Sequence, residues 1–139
     1  MESLTISRLN ELDEIVGIDR EVIGNENRRK YIRKAIEEER CIVIKTEFSY
    51  IGFLIFKEDF FECSFISLVI VKPTERRKGY ATSLLQYFLS ISPTKKIFSS
   101  TNQSNNRMQE VFKRNGFIES GIIHNLDDGD PEIVYFKVI

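Results

Sequence analysis

The stretch that decides the fold runs from Leu68 to Leu85 and reads LVIVKPTERRKGYATSLL. Its first four residues are apolar and mostly β-branched, which predicts a strand, and Pro73 ends that strand because proline cannot donate to a sheet ladder. A basic loop with one glycine, Gly79, follows and opens a helix. The apolar residues of this helix recur at i, i+4 spacing: Tyr80, Ala81, Leu84, Leu85, Phe88 and Leu89.

The junction between this strand and this helix predicts a binding site for an anion. The first backbone N–H groups of a helix have no partner within it, and the helix dipole places partial positive charge there. Gly79 lets an anion approach the backbone because it has no Cβ, and Arg76, Arg77 and Lys78 add positive charge. A solvated basic loop is the alternative. With a single glycine, the loop matches neither the P-loop nor the dinucleotide-binding fingerprint.

The rest of the chain predicts short strands and helices on both sides of this junction. Leu4 and Ile6 indicate a first strand, and two helices follow, the second with Asn27 as its N-cap and Tyr31 on its apolar face. A last helix is predicted to begin after Asn105. The remaining strands are predicted at Cys41–Ile44, Ile51–Phe56, Glu62–Val71, Ile97–Ser100, Ile118–Ile123 and Ile133–Ile139. This order predicts an α+β or mixed α/β domain.

Length and composition predict one globular domain over residues 1–139. The 20 basic and 21 acidic residues give a net charge of −1, which argues against a dedicated nucleic-acid binder. Two separated cysteines, Cys41 and Cys63, and a single histidine suggest neither a disulfide framework nor a metal site. The chain shows no signal-peptide pattern and no run of about 18 apolar residues. We therefore expect a cytoplasmic protein with reduced thiols and no membrane partner.

Two segments carry a resemblance to a known family. Arg76–Ala81, RRKGYA, matches the Arg/Gln-x-x-Gly-x-Gly/Ala motif of the GNAT-superfamily N-acetyltransferases, and Asn105–Phe117, NNRMQEVFKRNGF, is similar to their second motif. The resemblance implies the GNAT-like acyl-CoA N-acyltransferase fold. In that fold a central, mostly antiparallel twisted sheet is flanked by about four helices, in agreement with the mixed pattern above.

The resemblance also implies acetyl-CoA as co-substrate, bound in a V-shaped opening between two splayed parallel strands, here 62–71 and 97–102. Backbone groups of Val69 and Val71 would pair with the pantetheine arm like an added strand. Asn105 would lie near the pantetheine or the thiol end. The pyrophosphate would be held at the basic loop and helix start, by Arg76, Arg77, Lys78, Gly79, Tyr80, Ala81 and Thr82.

The implied reaction is acetyl transfer to a primary amine by direct attack in a ternary complex. The acceptor would be a small molecule, a peptide N-terminus or a lysine. Many family members carry a tyrosine, four residues before the glycine of the second motif, that protonates the leaving thiolate; this chain has Phe112 there. Water, or a hydroxyl such as that of Ser104, is a substitute proton donor. The alternative function is a catalytically weak, CoA-binding regulatory or sensing module on the same fold, and a third is a nucleotide-phosphate binder.

Two residues are candidates for the general base. Glu62 lies near the start of the strand on which some family members place a glutamate, and His124 is the only histidine, a residue type suited to proton transfer near neutral pH. The plain alternatives are a solvated carboxylate and a surface histidine, with water as the proton carrier.

An acidic run and the last predicted strand raise two further hypotheses. Asp127, Asp128, Asp130 and Glu132 would attract a cationic amine, or simply form a polar hairpin loop. The strand Ile133–Ile139 would meet a partner's edge and form a homodimer.

Overall fold

The computed structural model describes residues 1–139. It contains seven strands, four α-helices and two short 3-10 turns, at Leu9–Glu11 and Pro73–Glu75. The strands are β1 (Ser3–Ile6), β2 (Cys41–Lys45), β3 (Tyr50–Phe60), β4 (Cys63–Val71), β5 (Lys96–Asn102), β6 (Ile118–Ile123) and β7 (Glu132–Val138). The helices are α1 (Leu12–Ile23), α2 (Arg29–Glu37), α3 (Tyr80–Ile91) and α4 (Asn106–Arg114).

The seven strands form one sheet in the order β1-β2-β3-β4-β5-β7-β6. The pair β4–β5 is parallel, and the pairs β1–β2, β2–β3, β5–β7 and β6–β7 are antiparallel. This confirms the predicted mixed α/β class with a mostly antiparallel sheet. The chain divides into two compact units, Met1–Phe56 with Leu68–Ser90, and Lys57–Ser67 with Ile91–Ile139.

The core of the first unit lies between helices α1 and α2 and strands β2 and β3. The i, i+3 and i+4 spacing of the helix residues places them on one face, and the buried set is Leu12, Ile15, Val16, Ile18, Ile32, Ala35, Ile36, Cys41, Val43, Phe53 and Ile55. On the opposite face of β3, helix α3 packs Phe88 against Phe56, with ring centroids 4.5 Å apart. The long helix predicted after the basic loop is thus confirmed, and its buried residues include Leu84, Leu85, Phe88 and Leu89.

In the second unit, β7 pairs with β5 from Lys96–Val138 to Asn102–Glu132. Helix α4 packs against β7 through Phe112, whose ring stacks on that of Tyr135 with centroids 5.0 Å apart. Gly116, with φ 84°, follows the last turn of this helix in the left-handed conformation typical of a helix C-terminus.

The start of α2 differs from the prediction. The N-cap position is Arg28, and Asn27 instead donates its backbone N–H to Asn25 Oδ1 at 2.9 Å. Tyr31 is 41% exposed, so it lies off the apolar face. An ion pair determines the geometry here, because Arg28 donates Nε and Nη2 hydrogen bonds to the buried Asp19 at 3.0 and 2.6 Å.

Two strand predictions also need correction. Glu62 does not belong to β4: together with Phe61 it forms the β3–β4 turn, where both residues have positive φ, 51° for Phe61 and 65° for Glu62. Strand β7 is not an edge, because it pairs with β5 on one side and β6 on the other. The hypothesis that Ile133–Ile139 meets a partner's edge is therefore wrong. No helix of the chain is long and apolar enough to cross a membrane.

Candidate functional site

The loop from Arg76 to Gly79 has the backbone expected of an anion site. Arg77 and Gly79 both have positive φ, 64° and 85°, and conformations of this kind turn successive backbone N–H groups toward one side. Helix α3 begins at Tyr80, and Ser83 N–H bonds back to Gly79 O at 3.0 Å. Gly79, Tyr80 and Ala81 therefore lie at the helix start, where the helix dipole favours an anion.

Two observations, one on Arg76 and one on Gly79, favour an anion at this loop. Arg76 Nε is buried and has no hydrogen-bond partner within the protein, although a buried donor is normally paired. A Cβ placed on Gly79 would meet no atom within 4 Å, so the space in front of the backbone is open. Lys78 is partly neutralised by Glu75, at 3.4 Å. An anionic group at this loop would supply the acceptor that Arg76 lacks.

The backbone of β4 leaves one of its sides open at Val69 and Val71. Strands β3 and β4 are joined by a two-residue turn and are therefore antiparallel. The Ile70 carbonyl lies so close to β3 that a Cβ on Gly52 would approach it to 2.6 Å, and Lys72 N–H donates to Ile51 O at 2.9 Å. Because alternate residues of a strand direct their polar groups to opposite sides, those of Val69 and Val71 point away from β3. The β4–β5 ladder pairs Ser64 to Ile66 with Ile97 to Ser99, before β4 reaches Val69.

In the second unit, Asn105 precedes α4 as its N-cap. Its Oδ1 accepts a hydrogen bond from Met108 N–H at 3.1 Å, which confirms the predicted cap. Phe112 is 1% exposed and contacts Tyr135 and Phe117. The Tyr135 hydroxyl is buried without a partner. Burial, followed by the charge of Glu119, raises the pKa of Tyr135 above its ordinary value.

Three of the four acidic residues of the β6–β7 segment bond to β5 or to the turn that follows it. Asp127 Oδ2 accepts from Asn102 Nδ2 at 2.8 Å, and Glu132 Oε2 accepts from Ser100 Oγ at 2.6 Å. Asp130 accepts from both the N–H and the Oγ–H of Ser104. The Ser104 hydroxyl already donates its proton, which weakens its case as the substitute acid.

The two predicted bases are both exposed and belong to the second unit. Glu62 lies in the β3–β4 turn and His124 just after β6. No group of three or more His, Cys, Asp or Glu residues is arranged to hold a metal ion. Burial raises the pKa of Cys41 to about 12, so this thiol stays protonated.

Sequence reasoning missed a polar network in the first unit, beside a cavity of about 350 Å³. Glu11, buried beneath the cavity, accepts hydrogen bonds from Arg8 N–H at 2.9 Å, Lys45 Nζ at 2.6 Å and Tyr50 Oη at 3.0 Å. Burial opposes ionisation of Glu11, but the hydrogen bonds from Lys45, Arg8 and Tyr50 outweigh it and hold its pKa below the ordinary value. Glu11 is 34 and 39 residues from its two side-chain partners, so no local pattern signals the network.

Comparison with known proteins gives a family and a set of structural neighbours. The model of the Acetyltransferase (GNAT) family matches residues 9–117. A crystal structure of a GNAT-family acetyltransferase from Bacillus cereus has 56% identity and a TM-score of 0.96, with 99% of this chain and 97% of that chain covered. A comparison with curated proteins gave no match.

Two more distant structures share the fold. The ribosomal-protein-S18-alanine N-acetyltransferase of Escherichia coli has 16% identity and a TM-score of 0.87, covering 100% of this chain and 94% of that chain. The diaminobutyrate acetyltransferase of Paenibacillus lautus, in complex with L-2,4-diaminobutyric acid and coenzyme A, has 14% identity and a TM-score of 0.78, covering 99% and 95%.

Proposed function

Because this chain belongs to the GNAT family of acetyltransferases, we propose that it transfers the acetyl group of acetyl-CoA to a primary amine of an acceptor. The observation that carries the proposal is the loop after β4. It combines a buried arginine donor without a partner, Arg76, with an open approach at Gly79. That combination suits the diphosphate of CoA, since phosphate oxygens accept hydrogen bonds from guanidinium groups and from N–H groups at a helix start.

The proposed cofactor contacts extend from this loop in both directions along the chain. The N–H groups between Arg77 and Thr82, with Lys78, Tyr80 and Ala81 among them, hold the pyrophosphate. The outward-facing backbone groups of Val69 and Val71 pair with the amides of the pantetheine arm. Asn105 contacts the pantetheine or the thiol end, where its Nδ2 is free to donate because only Oδ1 serves as the helix cap.

Acetyl-CoA supplies an activated thioester, and the protein's part is to hold it beside the amine. The neutral amine nitrogen attacks the thioester carbonyl carbon, the C–S bond breaks, and the amine loses one proton. Much of the acceleration comes from orientation of the two reactants. Phe112 donates no proton, but a thiol pKa of about 8.5 makes thiolate an adequate leaving group. Glu62 and His124 are the candidates to receive the amine proton, directly or through water.

The proposal includes two classes of acceptor: small amines, and the amines of proteins or peptides. The two distant neighbours act on a ribosomal-protein alanine and on a diaminobutyrate, and at 16% and 14% identity they share only the fold with this chain. A test therefore has to include both classes.

The deciding experiment is a thermal melt of the protein alone and with acetyl-CoA, CoA or ATP. A ligand at about 100 times its dissociation constant adds roughly 2.7 kcal/mol and raises Tm by several degrees. We expect a shift with acetyl-CoA and CoA and a smaller one with ATP. Equal shifts with ATP indicate a nucleotide-phosphate binder, and no shift with any ligand refutes the proposed function.

A panel of small amines, lysine and short peptides, assayed by thiol release, then tests transfer. Release of CoA that depends on one class of amine identifies the acceptor. CoA binding without transfer to any of them indicates the regulatory or sensing module instead.

A further inference from the structure

The turn between β5 and α4, residues 102–105, determines the position of Asn105. Side-chain burial does little to fix this turn. Gln103 and Ser104 are exposed, and so are Asn106 and Arg107 in the first turn of α4. The only fully buried side chain of this helix is Phe112, about two turns further on. Burial therefore anchors the far end of α4 and leaves the position of its first residues to hydrogen bonds.

Some of those hydrogen bonds are local, such as Gln109 Nε2 to Gln103 O at 2.5 Å, and others come from the segment between β6 and β7. Asp130 Oδ1 accepts from Ser104 N–H at 3.0 Å, and Asp130 Oδ2 accepts from Ser104 Oγ at 2.6 Å. Gln103 N–H donates to Pro131 O at 2.8 Å, and Asn102 Nδ2 donates to Asp127 Oδ2 at 2.8 Å. A single carboxylate thus satisfies two donors of the residue directly before Asn105.

We propose that Asp130 is a positioning residue, which fixes the 102–105 turn and through it the place of Asn105. The inference rests on the proposed function, in which Asn105 meets the pantetheine or thiol end of acetyl-CoA. Hydrogen bonds to an ionised acceptor are shorter and stronger than neutral ones, so a carboxylate holds this exposed turn better than an amide. The acidic segment thereby acts on the turn, whatever its effect on an approaching amine.

The test compares Asp130→Ala, Ser104→Ala and the double variant, with Glu47→Ala as the control. Glu47 is an exposed carboxylate in the turn between β2 and β3, outside the acidic run. Acetyl-CoA affinity is measured by calorimetry, and kcat by thiol release with the amine that the panel identifies. Misplacement of a contact by about 1 Å can reduce the rate about 100-fold.

We expect kcat of Asp130→Ala to fall by about 10- to 100-fold, while the dissociation constant of acetyl-CoA stays close to that of the wild type. That constant is set mainly by the loop before α3.

Ser104→Ala keeps its N–H bond to Asp130, so its kcat should fall less. The double variant should be no slower than Asp130→Ala, because both substitutions act through one contact. Asp130→Glu should restore part of the rate, and Glu47→Ala should match the wild type. An unchanged kcat in Asp130→Ala, or losses that multiply in the double variant, would overturn the inference.

Amide hydrogen exchange tests the same inference without turnover. In Asp130→Ala the amides of Ser104 and Met108 should exchange faster, while those of α3 keep their wild-type rates. If the wild type neither binds acetyl-CoA nor releases thiol, the proposed function fails, and the exchange of Ser104 still decides whether Asp130 fixes the turn. Unchanged exchange at Ser104 contradicts the positioning role.

Discussion

At the scale of single residues, the loop from Arg76 to Gly79 depends on backbone conformations that few side chains adopt. Gly79 has φ 85°, in a region that is strained for residues with a Cβ and most strained for β-branched ones. Since nothing lies within 4 Å of the position a Cβ would take, the glycine is needed for its conformation and for the approach of a ligand, and packing imposes no requirement.

We predict that Gly79→Val weakens acetyl-CoA binding by at least about tenfold, because misfit of the loop at a strained position is worth about 1–3 kcal/mol. Calorimetry measures the dissociation constant. Gly24→Val is the control: Gly24 has φ 82°, also has nothing within 4 Å, and ends α1 away from the loop. Both variants should lose stability, and only Gly79→Val should lose affinity. Equal affinities in the two variants would place the diphosphate elsewhere.

A second residue-scale feature is the pair of Arg28 and Asp19. The Asp19 side chain is 2% exposed and the Arg28 side chain 32%, so truncation of the arginine leaves a carboxylate buried and uncompensated. We predict that Arg28→Ala lowers the free energy of unfolding by about 3 kcal/mol. Arg20→Ala, which removes a surface pair with Glu26 in which Arg20 is 67% exposed, should cost no more than about 1 kcal/mol. Urea melts measure both, and equal losses would contradict the structural interpretation.

At the scale of secondary-structure elements, the Glu11 network ties the 3-10 turn before α1 to the end of β2 and the start of β3. Its carboxylate accepts from Lys45 of β2 and from Tyr50 of β3. Because the pKa of Glu11 is held below its ordinary value, ionised Glu11 stabilises the fold. That contribution is present in full above the unfolded pKa of about 4.3 and is lost as the pH falls through the folded value.

We therefore predict that Glu11→Gln costs stability at neutral pH and that the difference from the wild type shrinks in acid. Urea melts between about pH 6 and pH 3 follow the unfolding free energy. Glu14→Gln, at an exposed position in the first turn of α1, is the control and should give no such pH dependence. A difference that stays constant down to the lowest pH would mean that Glu11 acts through packing alone.

Also at this scale, local patterns predict the elements well and long-range partners poorly. The spacing of apolar residues predicts α3 and the core of β2 and β3, and Asn105 is the predicted cap of α4, because each signal lies within a few residues. The start of α2 escapes prediction, since Arg28 bonds to Asp19 in the preceding helix. Glu62 is misplaced because Phe61 and Glu62 form a tight turn without the glycine or asparagine that usually marks one.

The candidate site shows the same contrast between local sequence signals and contacts of distant residues. The basic loop and its glycine are contiguous in sequence and are predicted in advance, as is the resemblance that family membership confirms. The clamp of Asp130 on Ser104 joins residues 26 apart, and the partners of Glu11 are further still. Contacts of this kind depend on sheet order and register, which no local pattern contains.

For the molecule as a whole, Cys41 reports global unfolding. It is 0% exposed in the first-unit core, and burial raises its pKa to about 12. We predict that in a Cys63→Ser variant at about pH 8, where a free thiol is partly ionised, iodoacetamide modifies Cys41 only through unfolding. Its labelling rate should therefore rise with urea in parallel with the unfolded fraction. In Cys41→Ser, the half-buried Cys63 should react much faster. Similar native-state rates for the two thiols would contradict the packing of this core.

The position of β7 has a consequence for how the chain is made. It lies between β5 and β6, although it follows both in sequence, and β6 pairs with no other strand. During synthesis, β6 therefore emerges ahead of its only partner, and it carries Ile118, Ile122 and Ile123, which stay exposed even in the folded chain. An exposed apolar strand edge is prone to wrong pairing. Completion of the second unit must wait for β7, because β7 alone joins β6 to the rest of the sheet, and an incomplete chain is therefore the form most open to wrong pairing.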